Sequence, residues 1–237
     1  MGLARTVRRW IEALGVYRRI GVHRETEFLG NRKGGWAVCP EGLGPRSVVY
    51  SAGIGTNATF DLAVIQRYGC AVHAFDPTPA AIRFVEERDW PPGFHFHPWG
   101  LADYDGEARF APNVNPREAS HTLLERAETA DRAVAAPVYR LPTVMARLGH
   151  AHVDLLKLDI EGAEYGVLSD LIRAGVEVGQ ILVEFHHRFP GVGRRKTNDT
   201  IRTLGEAGYR IAAVSESLRE YAFLRGAGRE GGPDAAP

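Results

Sequence analysis

Three short segments carry residue types and spacings suited to chemistry. The first reads Val48-Val49-Tyr50-Ser51-Ala52-Gly53-Ile54-Gly55-Thr56-Asn57, an apolar run that breaks at two glycines before a helical pattern begins. Gly53 and Gly55 permit a sharp turn and close approach to a ligand, and the following helix start offers unpaired N–H groups. Asp76 closes the next apolar run, Ala71–Phe75. A carboxylate at that place can accept hydrogen bonds from a ribose diol. The third segment is Leu156-Lys157-Leu158-Asp159-Ile160-Glu161-Gly162-Ala163-Glu164, and the run after it ends Glu184-Phe185-His186-His187.

Period-two alternation puts Lys157, Asp159 and Glu161 on one face, beyond a strand's carboxyl end, where ligands of open α/β sheets bind. An idle carboxylate among Leu and Ile would be costly, which favours function for Asp159 and Glu161. Glu164 falls in a first helical turn and reads as helix stabilisation. His186 is a candidate general base, because its ordinary pKa lies near neutrality. Glu184 could orient it. Together with Asp159 the pair is compatible with a divalent cation, but two or three groups in a sequence do not establish convergence, so no metal site is assigned.

These residues need a scaffold. Apolar runs at 47–52, 71–75, 94–99, 153–160 and 180–185 alternate with helical patterns over about 58–68, 78–88, 163–174 and 197–207. Gly69 reads as a helix stop, Thr78 as an N-cap and Pro79 as a first helical residue. A short helix is expected over 142–148, a small hairpin over 103–111, and a long polar loop over 112–136. Two strands without a crossover, 209–214 and 220–224, end the pattern. The fold class is therefore α/β: a mostly parallel sheet with one antiparallel strand and helices on both faces, as in class I methyltransferases.

Composition narrows the alternatives. The chain has 237 residues, with 29 basic and 29 acidic side chains, so nothing global points to nucleic acid. Two cysteines suit a reducing cytoplasm, and no apolar run approaches the ~20 residues that cross a bilayer. Residues 4–20 have a basic amphipathic pattern, read as a helix packed on the domain with solvated arginines. With the 28–38 hairpin, this makes residues 1–45 an N-terminal extension, 46–225 the main domain and 226–237 a disordered tail. Trp36 in that hairpin and His121 in the polar loop, beside Ser120, are candidate acceptor contacts.

Gly53-Ile54-Gly55-Thr56-Asn57-Ala58 also fits a nicotinamide dinucleotide turn, leaving an NAD-dependent oxidoreductase as the rival enzyme class and a non-catalytic binding module as a third reading. The quoted segments, with Ala74-Phe75-Asp76-Pro77-Thr78-Pro79 and Trp99-Gly100-Leu101-Ala102-Asp103, resemble the FkbM family of S-adenosylmethionine-dependent methyltransferases over about residues 28–224. The resemblance implies a class I methyltransferase fold, S-adenosyl-L-methionine as donor, and a sugar or secondary-metabolite hydroxyl as acceptor. Donor contacts are then expected from Ser51, Gly53, Gly55, Asn57, Asp76, Trp99, Gly100, Leu101 and Asp159. The expected catalytic groups are Asp159, Glu161 and His186. Two departures from the family pattern are Asn57 in the first motif and Tyr139-Arg140-Leu141-Pro142-Thr143 before the short helix.

Overall fold

A computed structural model of the chain describes residues 19–112, 121–122, 133–189 and 191–226. The helix expected over 4–20 falls almost wholly outside these residues, and so does the tail beyond 226. The elements in chain order are β1 (Glu27–Leu29), β2 (Trp36–Val38), β3 (Val48–Ala52), α1 (Thr59–Tyr68), β4 (Ala71–Phe75), α2 (Pro79–Glu86) and β5 (Phe94–His97). Next come β6 (Gly100–Leu101), β7 (Gly106–Pro112), β8 (His121–Thr122), β9 (Val134–Tyr139) and α3 (Leu141–Leu148). The last are β10 (Val153–Leu158), α4 (Glu164–Arg173), β11 (Val178–Glu184), α5 (Gly193–Glu206), β12 (Tyr209–Val214) and β13 (Glu220–Arg225).

Seven strands form the main sheet in the order β12-β13-β11-β10-β3-β4-β5. β13 runs antiparallel to both its neighbours, and the β11-β10-β3-β4-β5 pairings are parallel. The chain passes from β3 to β4 on one side and reaches β10 on the other. The strand order therefore reverses beside β3, and a crevice opens there at the carboxyl ends. Alternation along β3 sorts the two cores. Tyr50 and Ala52 pack with Leu156, Leu168 and Leu204 on one face, while Val49 packs with Trp36, Phe60 and Val64 on the other.

Local chemistry sets the element ends. Gly69 adopts φ 68° and returns its N–H to Ile65 O, ending α1 in a left-handed cap. Thr78 Oγ1 accepts from Ala81 N–H, with Pro79 opening α2. The hairpin β1–β2 lies against α1, where Glu27 accepts from Arg67 Nε and Tyr68 Oη.

The segment from 103 to 139 differs from the sequence expectation. No hairpin forms at Asp105-Gly106. Instead β7 pairs with β9 and β8, and β6 joins β9, giving a second four-stranded sheet. β9 carries Ala135 and Ala136 followed by Pro137, a stretch with weak strand preference. Its pairing is imposed by the strands on either side.

At the β4–β5 edge His73 stacks on His95 and His97, its Nδ1 3.1 Å from His97 Nε2, and meets His150 edge-on. Burial, then the neighbouring histidines, lower His73 to about 3 and His97 to about 4. Unfolding restores ordinary histidines near 6.5, so the unfolded chain binds more protons as pH falls. This contribution to stability is complete above about pH 6.5 and is lost progressively toward about pH 3. The expected result is a Tm that declines through this window in the parent chain and declines less steeply in His73→Phe. Superimposable pH profiles would remove the histidine column as the cause.

Candidate active site

A cleft sits at the reversal point, lined by Gly53, Ile54, Gly55, Phe75, Asp76, Pro77, Thr78, Gly100, Leu101, Phe110 and residues Asp159, Ile160, Glu161 and Ala163. Two glycines shape it. Gly53 has φ 80°, and a Cβ there would fall 1.7 Å from the Asp159 carbonyl oxygen. Only glycine lets the turn after β3 and the segment after β10 come together. Gly55 has φ 53°, and a Cβ built on it meets nothing within 4 Å. Its bare backbone faces the opening.

Asp76 is 5% exposed. Its Oδ2 accepts from Gly55 N–H at 2.9 Å, and its Oδ1 accepts from Thr78 N–H at 2.9 Å and Thr78 Oγ1 at 2.6 Å. A carboxylate offers about four acceptor positions and three are taken, so the group keeps room to accept from a hydroxyl in the cleft. Glycine backbone facing space, a fixed carboxylate and the apolar walls Phe75 and Leu101 fit a nucleoside bearing a short charged arm.

The opposite wall is polar. The turn after β10 places Glu161 at φ 51°, a left-handed conformation for a non-glycine residue. Such strain costs about 1–2 kcal/mol and is held by its surroundings. Here the surroundings include Glu164, buried at the start of α4, whose Oε2 accepts Gly162 N–H at 2.8 Å. The other oxygen of Glu164 accepts the backbone N–H of His186 at 2.9 Å and lies 3.2 Å from its Nδ1. His186 Nε2 then faces Glu161 Oε2 at 3.6 Å, Asp159 Oδ1 at 3.8 Å and Glu184 Oε1 at 3.9 Å.

Burial alone would lower the His186 pKa. Its hydrogen bond to Glu164 and the charges of Glu164, Glu161 and Glu184 outweigh that and raise it to about 9. Burial, followed by the charge of Asp159, raises Glu184 to about 7 against the pull of Arg219. Arg219 Nη1 lies 2.7 Å from Glu184 Oε1.

Of the residues singled out in the sequence, Gly53, Gly55, Asp76, Gly100, Leu101, Asp159 and Glu161 line the cleft, and His186 adjoins its acidic wall. Others stand elsewhere. Ser51 alternates away from the opening, its buried hydroxyl turned toward Asp61, whose carboxyl pKa it helps to hold down. Asn57 turns outward: its amide bonds the Asn31 side chain, and its Oδ1 accepts from Thr59 Oγ1 at 2.7 Å. Trp99 packs on His97, Phe75 and Tyr139, outside the lining. Trp36 is 5% exposed in the hydrophobic cluster behind α1, with its ring 5.7 Å from Lys157 Nζ. It cannot present a face to an acceptor. His121 pairs through its backbone with Pro112, and its side chain lies outside what the structure describes, as does Ser120.

Two roles also change. Lys157 does not chiefly neutralise the acids beside it: Nζ donates to Gly53 O at 2.6 Å and Ala52 O at 3.3 Å, with Asp159 Oδ2 at 4.0 Å. Glu164 does more than stabilise a helix start, since it fixes the His186 ring, a task expected of Glu184. Its place in a first turn was legible, but contact with His186 arises from the packing of α4 against the end of β11.

A seven-stranded sheet with one antiparallel strand, a glycine turn after its first parallel strand and an acid ending the next defines a class I methyltransferase fold. A family model described as the methyltransferase FkbM domain matches residues 49–211, and the chain belongs to that family. It is 28% identical over 149 residues to the human "Probable methyltransferase-like protein 24", a match covering 60% of this chain and 33% of that one. It is also 28% identical over 181 residues to the "AMB antimetabolite synthetase AmbE" of Pseudomonas aeruginosa, covering 70% of this chain and 8% of the synthetase. The chain thus spans a third or less of these relatives' lengths. Among solved structures, the FkbM methyltransferase of Methylobacillus flagellatus KT aligns over 76% of this chain and 43% of its own, with 10% identity and a TM-score of 0.49. No helix among the described residues is long and apolar enough to cross a membrane.

Proposed function

We propose that this protein is an S-adenosylmethionine-dependent O-methyltransferase acting on a hydroxyl of a sugar or secondary metabolite, with its catalytic unit spanning residues 46–225. The observation that carries this reading is the position of Asp159. It lines the cleft with Asp76 and Gly55 and also stands 3.8 Å from His186 Nε2. One carboxylate therefore borders both the donor cleft and the polar wall suited to a hydroxyl. When bound, S-adenosylmethionine supplies an electrophilic methyl group: the acceptor oxygen forms the new C–O bond, and the sulfur leaves with its bonding pair as a thioether.

The chain's own part is binding, orientation and proton management. Asp76 holds the ribose hydroxyls, while Gly53 and Gly55 give the methionine arm a surface without side chains. Asp159 receives the acceptor's proton, and Glu161 orients the hydroxyl by accepting a hydrogen bond. His186, its ring fixed by Glu164, holds the facing carboxylates of Asp159, Glu161 and Glu184 in place. A secondary-metabolite acceptor is supported by the similarity to an antimetabolite synthetase.

Calorimetric titration tests the donor. S-adenosylmethionine is expected to bind with a micromolar Kd, corresponding to about −8 kcal/mol, and NAD to bind at least tenfold more weakly. Tight NAD binding without S-adenosylmethionine binding would replace this reading with the oxidoreductase one.

A further inference from the structure

His186 is 5% exposed, and its two ring nitrogens face different environments. Nδ1 is committed to Glu164 Oε1, while Nε2 points at carboxylate oxygens from two strand ends, each too distant for a short hydrogen bond. Asp159, Glu184 and His186 each offer an atom, all lying within 4.8 Å of one another. Ligands held about 2.1 Å from one ion lie roughly 3.0 to 4.2 Å apart, so small side-chain movements would close these groups around a cation.

We propose that Asp159, Glu184 and His186 Nε2 form a binding site for a divalent first-row transition-metal cation, with Glu161 at its margin. The donor set selects the ion class. Imidazole with carboxylates suits Mn²⁺, Fe²⁺ or Zn²⁺ better than Ca²⁺ or Mg²⁺, which favour all-oxygen shells. Glu164 occupies the position that second carboxylates hold behind metal-binding histidines, fixing the ring and raising its basicity as a ligand. Arg219 Nη1, 2.7 Å from Glu184 Oε1, holds the same oxygen that faces His186 Nε2, so it orients that carboxylate and a cation there would share Oε1 with the guanidinium or take Oε2 after a turn of the carboxylate.

The site's location gives it a use that rests on the methyltransferase reading. Asp159 and Glu161 also line the donor cleft, so an ion held here borders the space where the acceptor enters. An acceptor hydroxyl taking an open coordination position would become more acidic and be held at a fixed distance from the donor. Its proton still passes to a carboxylate of the same wall. The ion is not consumed and changes no oxidation state.

Mn²⁺ is the probe. The full chain, freed of metals by a chelator, is titrated with Mn²⁺ and the free ion is followed by electron paramagnetic resonance. One Mn²⁺ per chain is expected, with a Kd well below about 1 mM. Glu184→Gln and His186→Asn are each expected to weaken binding by about tenfold or more, and Glu164→Gln by about 10–100-fold. Circular dichroism establishes which variants fold; Glu184→Gln changes charge with least change of shape and decides the matter if His186→Asn does not fold. Absence of binding at about 1 mM, or a folded Glu184→Gln that binds like the parent, would overturn the site. S-adenosylmethionine calorimetry on the same sample separates the two readings. Donor binding without Mn²⁺ binding removes only the cation site, whereas Mn²⁺ binding without donor binding leaves the site standing and removes the methyltransferase assignment.

Discussion

Asp76→Ala is expected to lower the affinity for S-adenosylmethionine by about a hundredfold or more, since each hydrogen bond to a buried charged group contributes roughly 1.5–3 kcal/mol. Two effects act together. The variant loses the acceptor proposed for the ribose hydroxyls, and it also loses the anchor of the glycine turn. Asp76 Oδ2 holds Gly55 N–H at 2.9 Å, and Oδ1 holds both the backbone and hydroxyl of Thr78. Without them the end of β3 and the start of α2 are no longer tied across the cleft. Asp76→Asn keeps one acceptor oxygen and is expected to fall between parent and alanine variant. Calorimetry reads the affinities directly, and a parent-like Kd for the alanine variant would exclude Asp76 from donor binding.

Lys157→Met is expected to destabilise the fold by about 3–5 kcal/mol, since it removes two hydrogen bonds donated by a buried ammonium, each contributing roughly 1.5–3 kcal/mol. Lys157 reaches from β10 to the carbonyls of Ala52 and Gly53, tying down the turn that shapes the cleft. Its charge also faces Asp61, which is 2% exposed and has one carboxylate oxygen without a hydrogen-bond partner. Burial raises the Asp61 pKa, and Lys157 is the largest influence holding it down.

The sign of the pH effect follows from that pair. With the lysine gone, the folded-state pKa of Asp61 rises further above its unfolded value. The stability that protonated Asp61 contributes is then present at low pH and lost as pH rises through the folded pKa. The deficit is expected to be smaller at pH 5 than at pH 8, and adding Asp61→Asn is expected to recover part of it. Urea unfolding at the two pH values measures both. A loss below about 1 kcal/mol at pH 8 would show that solvent reaches Asp61 and supplies what the lysine was assigned.

The order of the helices and the parallel strands was legible because each rests on nearby signals. Gly69 ends α1, Thr78-Pro79 opens α2, and apolar runs such as Val153–Leu158 need no distant partner to be recognised. The hairpin of β12 and β13 was equally clear from its spacing. Two of the site's strand-end acids, Asp76 and Asp159, were visible for the same reason: a charged residue closing an apolar run has few structural excuses.

Contacts made across the fold were not legible. Ser51 and Asn57 sit in the most recognisable motif, yet alternation turns one into the core behind the cleft and the Asn31 amide captures the other. β9, rich in alanine and interrupted by Pro137, becomes a strand only because β6 and β7 flank it. The sequence by itself determined the strand–helix alternation, the glycine turn and the acids at strand ends, since these depend on backbone freedom and periodicity over a few residues. Tertiary structure alone decided that Glu164 fixes His186, that Arg219 holds Glu184, and that Lys157 balances Asp61. Those pairings join side chains far apart in the chain, and low-dielectric surroundings give them strength only after the elements have packed.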